Sequence, residues 1–470
     1  MNTIWLPEIE SRNGPKYKAL ADAIREAVAS GTLKVKQKLP PVRDLAWSLK
    51  ITPGTVARAY TLLTDEGTLE AAVGRGTFVS APKPAPAHPG FFADVIAEPI
   101  QTETHPDVVR LTSPLLPDVG QVALIQSLMA QVAARPQSGV MHYPNRTTFR
   151  PAREAVIHWL RGTPLGAIDQ EDIVLSHGGQ NGVSLAMQAI LHGPEPVILI
   201  EELSYPGFRR AAALLRAKVI AIPMDEHGMM PQAIANIAKN HNVQAICTSP
   251  EVHNPSGLFT PETRREEIVE VARAHDIQII EDDCYRMGAA RAPSYRMLAP
   301  ERGWYVSSIS KTLTPALRIG FVVAPKPLVP ALRRSAEHGF FGLATPLADL
   351  AERLLSDPRA ETCARDVSAV FSQYAQTCVN HLGAYDLTWH EDVPFVWLKL
   401  PEGWRASAFC QAAEAQKVQI RPAEEFAGRE ARAPHAVRIA LNAQIAHDHF
   451  EAAVMRLRLL LDNPPERIGV

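Results

Sequence analysis

A lysine flanked by hydroxyl side chains lies between two apolar runs in residues 305–325, which read YVSSISKTLTPALRIGFVVAP. The polar residues of interest there are Ser308, Ser310, Lys311 and Arg318. A lysine at the end of a buried strand loses hydration, which lowers its pKa and frees the amine to form an imine. Arginine and serine side chains are donors that suit a phosphate. The segment is therefore a candidate for imine chemistry on a phosphorylated ligand; the alternative is a surface lysine in a polar turn.

The spacing of this segment resembles the lysine segment of fold-type I aminotransferases, which depend on pyridoxal phosphate. The pattern S-x-S-K is followed by an arginine seven residues later. The resemblance implies that Lys311 holds pyridoxal 5′-phosphate as an internal aldimine. It also implies that Ser308 and Arg318 bind the phosphate, with Ser310 in the same cofactor site.

From about residue 108 onward, short apolar runs alternate with helical patterns. Such alternation is typical of an α/β fold with a mostly parallel sheet covered on both faces. The predicted strands are residues 173–175, 197–201, 219–222, 245–248, 277–281 and 320–323, and the predicted helices include 182–191 and 261–275. Ligands of such sheets bind at the carboxyl ends of the strands, so the residues that follow each run are the site candidates.

Three of these turns resemble cofactor contacts of the same family. The turn SHGGQNG offers free N–H groups at a helix N-terminus, and the resemblance makes Gly179 and Gln180 candidates for phosphate binding. In ELSYPGF, Tyr205 takes the place of the aromatic residue that stacks on the cofactor ring; the alternative is a packing tyrosine. In HNPSG, Asn254 matches the asparagine that contacts the 3′ oxygen.

Three adjacent acids follow the apolar run that ends near residue 280, in the sequence EDDCY. A buried carboxylate needs a partner, and a protonated pyridine nitrogen is one that keeps the ring an electron sink. The family's D-x-x-Y spacing assigns this role to Asp282, with Asp283 as the alternative, and places Tyr285 at the 3′ oxygen. No His or Cys set stands at matching spacing, so we predict no metal site.

Two further residues extend the predicted site. Tyr143 occupies the family position that reaches the phosphate of a neighbouring subunit, which implies a homodimer, although Thr148 replaces the usual glycine nearby. Arg438 lies within the apolar run AVRIALN, where a buried arginine needs a carboxylate. The resemblance implies that Arg438, with Asn254, binds the carboxylate of an amino acid; the alternative is a structural ion pair.

The pattern of residues 14–80 predicts three short helices and a hairpin. Apolar residues recur at helical spacing over residues 16–30, a Pro-Pro pair opens a second helix, and Thr52 can cap a third. Two short strands follow, joined by a tight turn with Arg75 at its tip. A winged helix-turn-helix that binds DNA fits this pattern, and a helical protein-interaction module is the alternative.

The same segment resembles the GntR family of bacterial regulators in LPPVRDLA, TPGTVARAY and GRGTFV. That resemblance implies a double-stranded DNA operator as partner. The implied DNA contacts are Arg43, Thr52, Thr55, Arg58 and Arg75. The family often has Ser-Arg where this chain has Thr52-Pro53, so one arginine contact is missing and operator preference can differ.

Composition limits the classes of function. The net charge of −2 excludes a chain that coats nucleic acid or membrane along its whole length. However, residues 14–80 hold ten Lys and Arg against six Asp and Glu, a net +4 that leaves −6 for the rest. The five cysteines form no C-x-x-C pair, which is typical of reduced thiols, and we find no signal sequence or long apolar span. We therefore predict a cytoplasmic protein.

The predicted organisation is a winged helix-turn-helix at 14–80, a linker rich in proline and alanine at 81–107, and an aminotransferase-like domain at 108–470. The last includes a smaller C-terminal α+β subdomain. This order is similar to that of MocR-type regulators, which implies a transcriptional regulator that senses an amino acid or amine through aldimine exchange at Lys311. One alternative is an active class I/II aminotransferase that carries a DNA-binding domain. Another is a DNA-binding protein whose large domain has lost its cofactor and only dimerises.

Overall fold

The computed structural model describes residues 5–7, 15–66, 68–72, 76–80, 108–134, 141–428 and 431–464. The chain divides into two compact units, Met1–Ile100 and Gln101–Val470. The predicted linker at 81–107 lies outside the described residues, and its boundaries stay a prediction. Within the described ranges, no helix is long and apolar enough to cross a membrane.

The first unit holds three helices and an antiparallel strand pair, as predicted. They are α1 (Lys16–Ala29), α2 (Val42–Ser48), α3 (Pro53–Asp65), β1 (Leu69–Ala72) and β2 (Gly76–Val79). Helix α3 begins where the Thr52 hydroxyl accepts a hydrogen bond from Thr55 N. Its predicted apolar stripe is buried in the core of this unit: Val56, Ala59, Tyr60 and Leu63. The tip of the hairpin, with Arg75, lies outside the described residues.

The second unit is built on a seven-stranded sheet. The strands of the whole unit, in chain order, are β3 (Val109–Arg110), β4 (Ile173–Ser176), β5 (Val197–Glu201), β6 (Lys218–Ile222), β7 (Met224–Asp225), β8 (Gly228–Met229), β9 (Val243–Thr248), β10 (Gln278–Asp282), β11 (Gly303–Ser308), β12 (Gly320–Val323), β13 (Leu387–Thr388), β14 (Phe395–Lys399), β15 (Val418–Gln419), β16 (Arg421–Pro422) and β17 (Ala436–Ala440). The large sheet has the order β4-β12-β11-β10-β9-β5-β6. Within it, β12 runs opposite to the other six strands, which share one direction. The six predicted strands are confirmed, with ends that differ by a few residues.

Helices cover both faces of this sheet. The helices of this unit are α4 (Gln121–Ala133), α5 (Arg150–Trp159), α6 (Gly179–Ile190), α7 (Pro206–Leu214), α8 (Pro231–Ala238), α9 (Glu262–Ala274), α10 (Tyr295–Leu298), α11 (Val329–Phe340), α12 (Thr345–Ser356), α13 (Pro358–Leu382), α14 (Ala406–Ala415) and α15 (His447–Asp462). The last three, α13 to α15, pack mainly in the core of the C-terminal subdomain and not on this sheet. Alternate residues of β5 point into different cores, Ile198 and Ile200 towards α6, α7 and α11, and Val197 and Leu199 towards α8 and α9. This layering is the predicted α/β architecture.

A smaller C-terminal subdomain follows, as predicted. Strands β13, β14, β17 and β16 form an antiparallel sheet that shares a core with α13, α14 and α15. Strand β3, far earlier in the chain, pairs in parallel with β15 and so joins this subdomain.

The carboxyl ends of β4, β9, β10 and β11 share one edge of the large sheet, and β12 begins at that edge with Gly320. Gly320 allows β12 to approach the turn after β4 closely. A Cβ atom there would lie 2.7 Å from the carbonyl carbon of Gly178 and 2.8 Å from its Cα. The sequence therefore brings the candidate turns together at one edge by strand direction and by close main-chain packing.

Replacing this glycine should destabilise the large domain. We expect Gly320→Ala to lower the free energy of unfolding by about 1–3 kcal/mol, because the added methyl overlaps main-chain atoms that cannot rotate away. Gly339→Ala is the matched control, since a Cβ there would have nothing within 4 Å. Thermal unfolding of the full chain measures both variants, and equal midpoints for the two would contradict the prediction.

Candidate functional site

Lys311 ends a short 3-10 helix, Ile309–Lys311, that directly follows β11. The Ser308 hydroxyl caps this turn by accepting a hydrogen bond from Ser310 N at 3.5 Å. The Lys311 amine lies 3.5 Å from Ser113 Oγ and 5.3 Å from the centre of the Tyr285 ring. The lysine is partly buried at the carboxyl edge of the sheet, where a ligand can reach its amine.

A glycine turn and an arginine form a cradle beside it. Gly178 has φ of 79°, and a Cβ atom on it would lie 2.7 Å from Nη2 of Arg318. The same Nη2 donates to the His177 carbonyl at 3.3 Å. Gly179 starts α6, and a Cβ there would overlap Cys284 Sγ. Main-chain N–H groups of a helix N-terminus and a guanidinium together make an anion site.

Polar atoms near this cradle lack partners within the described part of the chain. The Ser310 hydroxyl, the Thr312 hydroxyl and Gln180 Oε1 are buried without a hydrogen bond. Gln180 donates its amide nitrogen to the Gly207 carbonyl at 3.0 Å, which fixes its orientation. Because buried hydroxyls are normally hydrogen-bonded, the two unpartnered hydroxyls fit an additional group with acceptor oxygens, as a phosphate has, whereas Gln180 Oε1 can only accept.

Asp282 and Asp283 differ sharply in their surroundings. Asp282 ends β10, lies deep in the molecule yet stays partly accessible, and accepts a hydrogen bond from Cys284 N at 3.1 Å. Burial raises the pKa of Asp282 to about 6. Asp283 instead accepts from Tyr305 Oη at 2.6 Å and pairs with Arg286 Nε at 2.7 Å. Asp282 is therefore the better partner for a pyridine nitrogen, and Asp283 already has its own.

Arg438, on β17, is buried and joins two distant segments. Its Nη1 donates to Asn254 Oδ1 at 2.5 Å and its Nη2 to the Thr112 carbonyl at 2.7 Å. Its Nε has no hydrogen-bond partner, and among the described residues it forms no ion pair. Its guanidinium carbon also lies 4.8 Å from the centre of the Phe426 ring. Among the described residues no carboxylate pairs with this arginine, and its binding of a ligand's carboxylate stays a prediction.

Two tyrosines of the predicted site lie in different surroundings. Tyr205 precedes α7, and a Cβ atom on Gly207 would overlap its ring and Gln180 Oε1, so Tyr205 lies beside the turn that carries Gln180. Tyr143 does not join this group. It is 77% exposed and stacks on Phe341 with ring centres 5.1 Å apart. Its contact with a neighbouring subunit stays a prediction.

Sequence analysis missed residues that hold this site together. His253 binds the Leu203 carbonyl through Nε2 at 2.8 Å and Ser256 Oγ through Nδ1 at 2.6 Å. It thereby ties the loop of Tyr205 to the loop of Asn254. Its place next to Asn254 in HNPSG was the available signal. Within the described ranges, no three His, Cys, Asp or Glu residues are grouped to hold a metal ion.

The first unit presents a second candidate site on α3. Thr52, Thr55 and Arg58 lie on its first two turns, and Arg43 is exposed near the start of α2. The hydroxyls of Thr52 and Thr55 are 2.9 Å apart, and the Arg58 guanidinium lies 4.2 Å from the centre of the Tyr17 ring. Arg75 lies outside the described residues. The structure therefore brings three of the five predicted DNA contacts to one helix.

Comparison with known families decides the class of the chain. Residues 106–457 match the family described as aminotransferase class I and II. The chain belongs to this family. Residues 16–79 of this aminotransferase family member match the bacterial regulatory proteins of the gntR family, so the order of a MocR-type regulator is confirmed. Membership implies pyridoxal phosphate as the cofactor, as predicted, and the unpartnered donors described above fit that group.

Individual relatives agree with this classification. YdeF of Bacillus subtilis, an uncharacterized HTH-type transcriptional regulator, is 26% identical over 98% of this chain and 97% of its own length. The HTH-type pyridoxine biosynthesis transcriptional regulator PdxR of Corynebacterium glutamicum is 30% identical over 66% of each chain. An archaeal alanine:glyoxylate aminotransferase of known structure aligns over 76% of this chain and 91% of its own, with 23% identity and a TM-score of 0.67. This aminotransferase family member is thus a DNA-binding regulator with an aminotransferase-like domain.

The position of Asp282 predicts opposite effects of one substitution with and without cofactor. The folded pKa of about 6 lies above the ordinary 3.8. The stability given by the protonated form is therefore present below about pH 4 and is lost as the pH rises through about 6. In cofactor-free protein at pH 8, Asp282→Asn should raise the free energy of unfolding by about 1–3 kcal/mol, and the gain should vanish below about pH 4.

With pyridoxal phosphate bound, the same Asp282→Asn variant should be less stable than the wild type, because the carboxylate then has a cationic partner. Unfolding by urea at several pH values measures each case. Asp283→Asn is the matched control and should destabilise the cofactor-free protein at pH 8, since Arg286 loses its partner. Equal pH profiles for wild type and Asp282→Asn would contradict the assignment.

Proposed function

We propose that the chain is a pyridoxal-phosphate-dependent transcriptional regulator that binds double-stranded operator DNA and senses an amino acid or amine through aldimine exchange at Lys311. The observation that carries the proposal is the sheet edge itself, where an accessible lysine amine, an unpaired deep carboxylate and a glycine-arginine cradle meet. The same chain has a helix-turn-helix unit. A cytoplasmic location follows from that role and is part of the proposal.

Different residues at this edge bind different parts of the cofactor. Asp282 would pair with the pyridine nitrogen, while Asn254 and Tyr285 would contact the 3′ oxygen and Tyr205 would cover the ring. The remaining residues, grouped at the glycine turn and after β11, bind the phosphate: Gly179, Gln180, Ser308, Ser310 and Arg318. Bound pyridoxal phosphate supplies a carbon that links reversibly to primary amines and a ring that withdraws electrons.

Arg438 supplies the recognition of the ligand's carboxylate. The side chain is buried, and burial lowers its pKa, yet its Nε lacks a partner while both terminal nitrogens bind neutral oxygens. A carboxylate is a charged acceptor, whereas Asn254 and Thr112 provide neutral ones. Its hydrogen bonds to the guanidinium would therefore be stronger than those that it replaces. Amino acids therefore fit the site better than simple amines.

The exposed ring of Tyr143 also supports a homodimer that shares its sites. Tyr143 is a large side chain exposed to solvent beside Phe341, itself exposed, so the pair offers an apolar surface. A regulator with one helix-turn-helix per chain binds two half-sites as a dimer. In that dimer Tyr143 reaches the phosphate of the partner site.

An active aminotransferase is the second candidate, and the complete set of Lys311, Asp282, Asn254, Tyr285 and Arg438 supports it. Two features favour the regulator. The relative that aligns over nearly the whole chain, YdeF, is an HTH-type transcriptional regulator by name. The helix-turn-helix unit also has no use in transamination. The third alternative, a domain without cofactor, conflicts with the unpartnered donors that the site retains.

A titration of the visible absorbance separates these candidates. Wild-type protein loaded with pyridoxal phosphate is titrated with a panel of amino acids and amines, and Lys311→Ala serves as the control that lacks the amine. We expect one class of ligand to shift the spectrum without release of a keto acid and to change affinity for DNA. Continued keto acid release would instead establish the aminotransferase. A wild type without a visible band would contradict both.

The helix α3 arginine should matter for DNA binding. Duplexes enriched by the full-length protein from a random pool provide the probe. We expect Arg58→Ala to weaken binding by about 1–3 kcal/mol if the arginine contacts a base. If it contacts a phosphate, the slope of log K against log[salt] should fall in magnitude by about one. Arg25→Ala is the matched control, because Arg25 already pairs with Asp22 and Glu66. Equal affinity and salt dependence for Arg58→Ala and wild type would contradict the interface.

A further inference from the structure

Two adjacent residues between β3 and α4 contact both ends of the proposed ligand site. Ser113 Oγ accepts a hydrogen bond from the Lys311 amine at 3.5 Å. The carbonyl of Thr112 accepts one from Arg438 Nη2 at 2.7 Å. Neighbouring Cα atoms in a chain are only about 3.8 Å apart, so this pair fixes how far the amine lies from the guanidinium.

The main chain on either side of the pair is firmly anchored. Leu111 donates to the Gln419 carbonyl at 2.7 Å, and its own carbonyl accepts from Ala440 N at 2.8 Å. Leu115 donates to the Leu441 carbonyl at 3.0 Å. All three partners belong to the C-terminal subdomain. The Ser113 hydroxyl is therefore held by one subdomain against the lysine of the large sheet.

The contact is specific on both sides. Among the described residues, Lys311 is the one hydrogen-bond partner of the Ser113 hydroxyl, and Ser113 Oγ is the one hydrogen-bond acceptor of the Lys311 amine. The other close neighbour of that amine is the face of the Tyr285 ring at 5.3 Å. The Ser113 hydroxyl can hydrogen-bond to the amine, because a hydroxyl both donates and accepts.

We propose that Ser113 is a positioning residue that receives the Lys311 amine when an amino compound displaces it. This inference rests on the proposed function. In the exchange, the carbon–nitrogen double bond to Nζ breaks and one to the ligand's nitrogen forms, while two hydrogens of the ligand's amino group end on Nζ. Lys311 then carries a free primary amine, and Ser113 Oγ lies within its hydrogen-bonding reach. The hydroxyl thereby stabilises the ligand-bound form of the sensor.

Methylamine is the probe for this role, because it exchanges reversibly with the lysine and has no carboxylate for Arg438. Full-length protein loaded with pyridoxal phosphate is titrated with methylamine, and the visible spectrum gives the midpoint of displacement. We expect Ser113→Ala to raise the midpoint concentration about 3- to 10-fold, the effect of losing one hydrogen bond. Affinity for pyridoxal phosphate without methylamine should stay within about twofold.

Two variants separate a positioning role from a structural one. Ser113→Thr keeps the hydroxyl and should restore the wild-type midpoint. Ser127→Ala, the control, removes a hydroxyl that donates to the Leu124 carbonyl within α4 and should leave the midpoint unchanged. An unchanged midpoint in Ser113→Ala overturns the inference, as does an equal rise in Ser127→Ala. So does a wild-type visible band that methylamine cannot displace. Absence of that band overturns the proposed function as well, so the two failures are distinguishable.

Discussion

The site depends on the placement of a carboxylate at the end of a central, buried strand. Asp282 ends β10 between β9 and β11, deep enough for its pKa to rise to about 6. An ionised carboxylate in such a place is costly without a cationic partner, and a cationic ligand would remove that cost. Glu201, at the end of β5, has the same character: burial raises its pKa to about 7 although Thr248 and Ser249 donate to it. Buried acidic groups at one sheet edge thus favour a cationic partner, and in the proposed function a protonated pyridine ring is that partner.

Among the hydrogen bonds that connect the large sheet to the C-terminal subdomain, two involve residues of the proposed ligand site. Arg438 of the subdomain binds Asn254, and Ser113, anchored to the subdomain, binds Lys311. In the proposed function both contacts involve groups that a ligand would engage, because a carboxylate would compete for Arg438 and an amine would displace Lys311. A ligand with both groups therefore alters both connections, whereas one with a single group alters one. A coupling between ligand and domain arrangement needs such a difference in contacts.

Much of this architecture was predictable because apolar runs and turn residues mark strands and helix starts locally. The direction of each strand was not predictable, because an apolar run such as β12 has the same pattern whether the strand is parallel or antiparallel to its neighbours. The choice between Asp282 and Asp283 also required the structure: both follow the same run, and only the packing shows that Arg286 and Tyr305 take Asp283. Ser113 carried no signal at all, because it lies 198 residues from Lys311 in the chain and belongs to no motif.

In the first unit, the hydrogen bonds that begin α3 limit how many protons its threonine side chains can donate to DNA. The Thr52 hydroxyl accepts a hydrogen bond from Thr55 N at the start of α3, and the two hydroxyls are 2.9 Å apart. Each hydroxyl therefore already takes part in a hydrogen bond within the protein. Each hydroxyl has a single proton to donate and two acceptor lone pairs. Since DNA phosphates can only accept, Thr52 and Thr55 compete for the protons that a phosphate needs. Arginine has five donors and no such conflict, so Arg43 and Arg58 are the stronger source of affinity in the described part of this unit. With Pro53 in place of a further arginine, the proposed interface has few charged contacts, so we expect Arg58 to contribute most of the discrimination between bases.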